Sequence, residues 1–160
     1  ARVRGYDFES SYRTEPDFFS SQSESLNFRV IAGYMQENSS TPLNGTKNNQ
    51  AGSATLPKKT YTASMIYSIG DYGINLQHNW MGSSLRNTQW VEGRDVDDNS
   101  VPSTNITNLG LFWTGATNTG NWRASMNVTN LLNKDPKIAG LTRVGDELGR
   151  RYSVGFDYSF

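Results

Sequence analysis

The chain has 160 residues, and its 15 basic residues balance its 15 acidic residues. A zero formal net charge provides no long-range attraction for nucleic acid, so we expect no nucleic-acid binding. The chain has no cysteine and one histidine, which excludes disulfides, iron–sulfur clusters, thiol catalysis and zinc sites built from cysteine or several histidines. We therefore expect no metal site and no cofactor. Only 35% of the residues are hydrophobic but 12% are aromatic, a mixture that favours β-strands over helices or disorder.

Apolar and polar residues alternate along seven segments, which is the period of strands with one apolar face. The alternation is clearest in the last segment, where every second residue from Tyr152 to Phe160 is aromatic or valine. The predicted strands, in chain order, are Gly5–Arg13, Leu26–Met35, Thr60–Ile69, Tyr72–Met81, Asn108–Trp113, Trp122–Thr129 and Arg150–Phe160.

The predicted connections alternate between short and long. Gly70–Asp71 is predicted to be a tight hairpin turn, Thr114–Asn121 a short turn rich in Gly and Asn, and Thr14–Glu24 an intermediate connection. Long loops at one end of a sheet and short turns at the other are typical of outer-membrane barrels. The three long polar segments are Glu37–Lys59, Gly82–Pro102 and Leu131–Gly149.

Two environments explain strands with one apolar and one polar face. In a soluble sandwich or lipocalin the apolar face points inward, whereas in a membrane barrel it points to lipid and the lumen is polar. The charged residues of the polar faces fit either environment: Asp7, Glu9, Arg13, Arg29, Arg123, Arg151 and Asp157.

Three features favour the membrane. The strands run to about ten residues, the length that a tilted strand needs to cross a bilayer. The loops are unequal at the two ends, and aromatic residues lie near the strand ends, as interfacial girdles require. We therefore expect an all-β chain that forms part of an antiparallel transmembrane β-barrel. The aromatic residues near the predicted strand ends are Tyr61, Tyr72, Trp80, Trp113, Trp122, Tyr152 and Phe160.

Seven strands do not close a bacterial barrel, which has an even number of strands. A lone sheet would also leave unpaired backbone groups in hydrocarbon. We therefore expect residues 1–160 to be one segment of a larger barrel, with further strands before Ala1.

Individual side chains suggest few chemical sites. Trp90 and Arg94, in the second long segment, are candidate ligand contacts because aromatic and arginine side chains dominate recognition surfaces. Asp95, Asp97 and Asn99 have the spacing of a calcium loop, but the Gly and the Glu that an EF-hand requires are replaced by Ser100 and Ile106. The EF-hand motif therefore fails, and a looser surface calcium site is the alternative that stays open. His78 lies on an apolar face, and no Ser/His/Asp arrangement is evident. We expect His78 to be structural and the protein not to be an enzyme.

The end of the chain resembles a known family. The stretch 128–136, VTNLLNKDP, followed by 149–160, GRRYSVGFDYSF, resembles the carboxy-terminal part of TonB-dependent outer-membrane receptors. Their tails carry an Asn-Leu segment, a Gly-Arg start to the last strand and a terminal Phe. The opening stretch 3–9, VRGYDFE, is similar to a strand that recurs in the middle of these barrels.

The resemblance implies a barrel of about 22 strands around a plug, in the outer membrane of a Gram-negative bacterium. Such a receptor imports a scarce solute, most often a ferric siderophore, when the TonB complex pulls on the plug. It implies contact with outer-membrane lipid and lipopolysaccharide, and long loops that face outside. It also implies that the barrel assembly machinery recognises the last strand through a terminal signal, which comprises Ser153, Gly155, Tyr158 and Phe160.

Two other functions remain open at this point. The chain could form a small structural or adhesion barrel in the outer membrane that is closed by oligomerisation. It could also be a soluble β-barrel binding module, which would need no detergent for extraction.

Overall fold

A computed structural model describes residues 1–19, 22–43, 45–135, 137–139, 142–144 and 148–160. It confirms that the chain is all-β. Seven long strands form an antiparallel sheet in which each strand pairs with the next along the chain. None of the described residues forms a helix that could span a membrane. The strands are β1 (Arg2–Thr14), β2 (Glu24–Ser40), β3 (Lys59–Ile69), β4 (Tyr72–Met81), β5 (Thr104–Thr117), β6 (Gly120–Thr129) and β7 (Arg151–Ser159).

The seven predicted strands are all present, and β4 has the predicted bounds. The turn predicted at Thr114–Asn121 is present but shorter than predicted, because β5 continues to Thr117 and β6 begins at Gly120. Thr117 pairs with Gly120, so only two residues form the turn. A run of Thr, Gly and Ala has weak strand character by itself, and the hydrogen bonds to the partner strand extend it.

The connections confirm the predicted difference between the two ends of the sheet. The two-residue turns after β3 and β5 lie at one end, together with the connection from β1 to β2. We call this the short-turn end. The connections after β2, β4 and β6 lie at the other, long-loop end and contain short paired strands: Asn48–Asn49, Ser84–Leu85, Ser100–Val101, Lys137–Ala139 and Thr142–Val144. Pro136 and parts of the third loop lie outside the described residues.

The strands are displaced lengthwise in one direction across the sheet. One row of paired residues starts at Tyr12, near the short-turn end of β1, and finishes at Tyr152, near the long-loop end of β7. Tyr12 lies four residues from the midpoint of β1 toward the short turns, and Tyr152 lies three residues from the midpoint of β7 toward the long loops. The strands are therefore displaced by about seven residues over six strand-to-strand steps, which corresponds to a strand tilt of about 40° at normal strand spacing. The full row is Tyr12, Phe28, Met65, Leu76, Leu109, Val128 and Tyr152.

Little of the described chain is buried. The buried hydrophobic residues are Ala51, Val101 and Val128, and the first two belong to the long-loop end rather than to the long strands. No second layer of the described residues packs on either face of the seven-stranded sheet. Within the described residues the sheet is therefore a single layer, and both of its faces are open to whatever surrounds the chain.

Candidate functional site

The apolar residues of all seven strands share one face of the sheet. Directly paired residues of antiparallel strands lie on the same side, and the register matches apolar with apolar from β1 to β7. Met65 pairs with Leu76, Ile74 with Leu111 and Met126 with Val154. We call this side the apolar face. Its middle is mainly aliphatic from β2 to β6, whereas β1 contributes Phe8, Ser10 and Tyr12.

Aromatic side chains border this aliphatic band at both ends. Toward the long loops, Tyr61 stacks on Trp80 with ring centroids 5.3 Å apart, and Tyr6 stacks on Tyr34 at 6.4 Å. Toward the short turns, a chain of ring contacts crosses four strands: Tyr72–Trp113 at 5.6 Å, Trp113–Trp122 at 4.7 Å and Trp122–Phe156 at 6.2 Å.

The spacing of the two aromatic rows can be read along β4. Tyr72 and Trp80 are eight residues apart on the same face, or about 26 Å along the strand. With the tilt given above, the rows are about 20 Å apart perpendicular to the edges of the band. This is close to the height of the apolar band of outer-membrane barrels, about 25 Å.

His78 lies on the apolar face, as the sequence predicts. Its Nδ1 is 2.9 Å from the Thr107 hydroxyl, and its ring centroid is 5.8 Å from that of Tyr61. The imidazole is thus hydrogen-bonded within the sheet, beside the aromatic row of the long-loop end.

The opposite, polar face carries hydrogen-bonding side chains. Arg29 donates to Glu9 through Nε at 2.9 Å, and its Nη2 lies 2.7 Å from the same carboxylate oxygen. The Thr62 hydroxyl donates to Asn79 at 2.9 Å. Arg123 stacks its guanidinium over the Phe112 ring, 4.4 Å from the centroid. The polar face is therefore hydrophilic but retains a few apolar side chains such as Phe112.

Two candidate ligand contacts, Trp90 and Arg94, lie on the second long loop near one tight turn. Trp90 is about half exposed, and the Arg94 side chain is 70% exposed. Arg94 donates two hydrogen bonds to the Asp95 carboxylate, at 3.0 and 2.8 Å, and the Val91 N–H donates to the same carboxylate at 2.8 Å. The Arg94 hydrogen bonds, and then the one from Val91, lower the pKa of Asp95 below its ordinary value. The charge of Arg94 is thus partly neutralised by its neighbour.

The three residues with calcium-loop spacing do not converge on one point. Asp95 binds Val91 and Arg94, whereas Asp98, rather than Asp97, accepts from the Ser100 N–H at 2.8 Å. Asn99 is buried, and its side chain bonds the backbone of Asn87 and Trp90 instead. Among the described residues no cluster of acidic or histidine side chains could hold a metal ion.

Backbone hydrogen bonds join the first two long loops. The Leu85 N–H donates to the Gly52 carbonyl at 2.7 Å, and the Ala54 N–H donates to the Leu85 carbonyl at 2.8 Å. The buried residues Ala51, Asn99 and Val101 belong to these two joined loops. The sequence predicts only polar loops here, because single buried residues in a polar segment have no periodic pattern. The loops form a shared structure that could present side chains in fixed positions.

The Asn-Leu segment that carries the family resemblance forms a buried turn. Asn130 is fully buried with a φ of 54°, and its side chain exchanges two hydrogen bonds with the Lys134 backbone, at 2.9 and 2.8 Å. The next residue, Leu131, donates its N–H to the Thr107 carbonyl at 2.7 Å. Asn133 then accepts from the Arg150 N–H at 3.0 Å. The segment therefore fixes where β6 ends and where β7 begins.

The predicted assembly signal lies on the edge strand β7. Ser153 and Gly155 belong to the polar face, whereas Tyr158 and Phe160 belong to the apolar side. The Tyr158 hydroxyl is within hydrogen-bonding distance of the hydroxyls of Thr117 and Thr119, at 3.0 and 2.7 Å. Phe160 is 99% exposed. Among the described residues β7 pairs only with β6, so its outer edge is open for pairing.

Comparisons with known proteins found no match to a protein-family model, to a curated protein or to a solved structure.

Proposed function

We propose that this chain is a membrane-spanning segment of an outer-membrane β-barrel, the carboxy-terminal part of a TonB-dependent receptor. The observation that carries the proposal is the aliphatic band of the apolar face, which has aromatic rows at both edges and which no described part of the chain covers. Water-soluble monomers rarely expose continuous apolar patches above a few hundred Å². Hydrocarbon over the band, with interfacial water and headgroups at the aromatic rows, satisfies both kinds of side chain.

The stagger of the strands supports a barrel rather than a flat sheet. Strands that close into a barrel must tilt, and membrane barrels have tilts of about 35–45°. The displacement between Tyr12 and Tyr152 corresponds to about 40°. In a barrel of about 22 strands these seven would form roughly a third of the wall.

The polar face supports a hydrated lumen. The Glu9–Arg29 ion pair and the Thr62–Asn79 hydrogen bond would be costly against lipid and are ordinary in a water-filled or plugged interior. The long-loop end would then face the outside of the cell, with Trp90 and Arg94 as candidate ligand contacts. Such a receptor would bind a small solute, most often a ferric siderophore, and would import it with energy from the TonB complex through a plug. No chemical reaction is assigned to the chain.

The first test is the size and location of the native polypeptide. An antibody against residues 150–160 would be used on outer-membrane fractions, heated and unheated, on a denaturing gel. We expect a band several times 17.8 kDa whose mobility changes on heating, as for a barrel that stays folded in cold detergent. A band near that mass would overturn the receptor assignment and favour a small oligomeric barrel. Extraction without detergent would favour a soluble binding module.

The second test addresses transport. Cells that depend on the protein would be given labelled ferric siderophores, with and without a proton uncoupler. We expect uptake to stop with the uncoupler while surface binding remains, because only the import step needs energy. A barrel that is heat-modifiable and large, but whose solute entry is insensitive to the uncoupler, would contradict TonB coupling.

A further inference from the structure

A group of basic side chains lies on the apolar side of β1 and β2, just beyond the aromatic row of the long-loop end. Arg2 and Arg4 precede Tyr6 at alternate positions of β1, so all three share a face. Glu37 is the register partner of Arg4. Lys47, from the first long loop, forms an ion pair with the same Glu37 carboxylate. We call Arg2, Arg4 and Lys47 the basic cluster.

A β-bulge puts Glu37 among these cations. Gly5 pairs with Met35 but Arg4 pairs with Glu37, which leaves Gln36 as the extra residue. Without the bulge, Arg4 would pair with Gln36, and Glu37 would point to the polar side of the sheet. Gly5 permits this close approach, because a Cβ there would lie 2.7 Å from the Tyr34 carbonyl oxygen.

One carboxylate does not neutralise the basic cluster. The Nε atoms of Arg2 and Arg4 are 3.7 and 3.9 Å from Glu37, which is too long for direct hydrogen bonds. The Glu37 side chain is only 11% exposed, whereas about half of each basic side chain is exposed. Glu37 therefore holds the three basic side chains close together, while most of their N–H groups stay accessible from outside the protein. Lys59, the register partner of Tyr34, adds a fourth basic side chain on the same face.

We propose that the basic cluster binds the phosphate groups of a lipid headgroup in the membrane leaflet at the long-loop end. This inference rests on the proposed function, under which this leaflet consists of lipopolysaccharide. Headgroup phosphates lie immediately beyond the aromatic row of a membrane protein, which is the level of the cluster. Guanidinium groups bind phosphate oxygens through paired hydrogen bonds. The Tyr6–Tyr34 pair would contact the adjoining carbon chains.

The test measures binding of fluorescent lipopolysaccharide to the full polypeptide, purified from outer membranes in detergent. R4Q/K47Q removes two charges from the basic cluster. K58Q/K134Q is the matched control, since it removes two exposed lysines that lie outside the cluster. Each basic residue near an anionic surface adds about 1 kcal/mol of attraction, so R4Q/K47Q should weaken binding by about 30-fold. The control should bind within about twofold of the parent.

Two further arms identify the ligand. Dephosphorylated lipopolysaccharide should bind the parent as weakly as the intact lipid binds R4Q/K47Q. Inorganic phosphate at millimolar concentration should not displace the intact lipid. Equal binding of intact and dephosphorylated lipid would overturn a phosphate site, and displacement by inorganic phosphate would overturn the lipid as its source.

The heat-modifiable band separates failure of this inference from failure of the proposed function. Both variants should retain the band, which shows that each barrel is folded. If the band is retained and R4Q/K47Q binds lipopolysaccharide like the parent, the cluster is not a lipid site. If the parent itself is absent from the outer membrane, the proposed function fails and the lipid site fails with it.

Discussion

The Asn108 side chain accepts a hydrogen bond from the Asn130 N–H at 3.0 Å and so connects β5 to the turn that follows β6. With the two Lys134 contacts and the Asn133 N–H that donates to the Asn130 carbonyl, each polar atom of Asn130 has a partner at a completely buried position. The two asparagines thus fix the position of the turn after β6, which the alternation of apolar and polar residues does not predict.

Asn130→Ala should therefore destabilise the barrel. The substitution leaves the Lys134 backbone groups without their side-chain partner. It also places alanine at a positive φ, a conformation that asparagine adopts more readily than alanine. The expected loss is about 2–3 kcal/mol. The measurement is the temperature at which the folded band is lost on a semi-native gel.

Two companions to this variant separate its causes. Asn130→Gly keeps the positive φ accessible and should recover part of the loss. Asn118→Ala, in the exposed two-residue turn after β5, should have little effect. If Asn130→Ala melts at the parent temperature, the buried turn does not contribute to stability.

Leu111→Arg should reveal what covers the apolar face. Leu111 lies in the aliphatic band between its register partners Ile74 and Met126. An arginine in the middle of a lipid-facing band costs about 2–4 kcal/mol, so the variant should fold poorly in bilayers. The measurement is urea unfolding in lipid vesicles.

Asn75→Arg is the matched control for this experiment. Asn75 lies next to Ile74 in β4 but on the polar face, where an added arginine would meet water. We expect a change of less than about 1 kcal/mol. Equal effects of the two variants would contradict the assignment of lipid to one face only.

The turn around Asp95 should loosen at acidic pH. The Arg94 and Val91 hydrogen bonds hold the pKa of Asp95 below its ordinary value of 3.8. Their contribution is therefore complete above that value and is lost as the pH falls through the lowered pKa. Hydrogen exchange of residues 87–98, corrected for the intrinsic rate, should accelerate as the pH is lowered below about 4.

Asp95→Asn supplies the comparison for this pH series. An amide cannot titrate, so its turn should exchange faster at neutral pH and change little on acidification. A parent protein whose exchange in this segment is unchanged down to pH values well below 3.8 would contradict the role given to the Asp95 carboxylate.

Removal of Phe160 should impair assembly in the outer membrane. The residue is almost fully exposed at the end of β7, and no described side chain covers it apart from its ring contact with Tyr158. Its loss should leave the finished sheet nearly unchanged but lower the amount of heat-modifiable protein. Tyr152→Phe, at the other end of β7, should assemble normally. Normal assembly without Phe160 would contradict an assembly signal at the terminus.

The positions of the strands were predictable from sequence because side chains alternate sides at every residue. This local rule predicted β4 with its observed bounds, and it predicted which residues share the apolar face. It made the turn at Thr114–Asn121 too long, because hydrogen bonds to a partner strand, rather than residue type, extend β5 and β6.

The candidate sites depended more on tertiary structure. Trp90, Arg94 and the Asp95 spacing could be picked out by residue type, but nothing in the sequence showed that Asn99 is buried and bonded to its own loop. The basic cluster was not predicted, because Lys47 is ten residues from Glu37 and Arg2 is thirty-five. The register of β1 and β2 brings Arg2 and Arg4 to Glu37, and the pairing of Asn48–Asn49 with β2 brings Lys47 there.

The sequence by itself determined that the chain is all-β, with one apolar face and loops of unequal length, because these properties follow from the period and composition of single segments. The tertiary structure decided the stagger of the strands, the bulge at Gly5 and the buried turn at Asn130. Each of these depends on which residues of two distant segments are paired, and pairing is a property of the whole sheet.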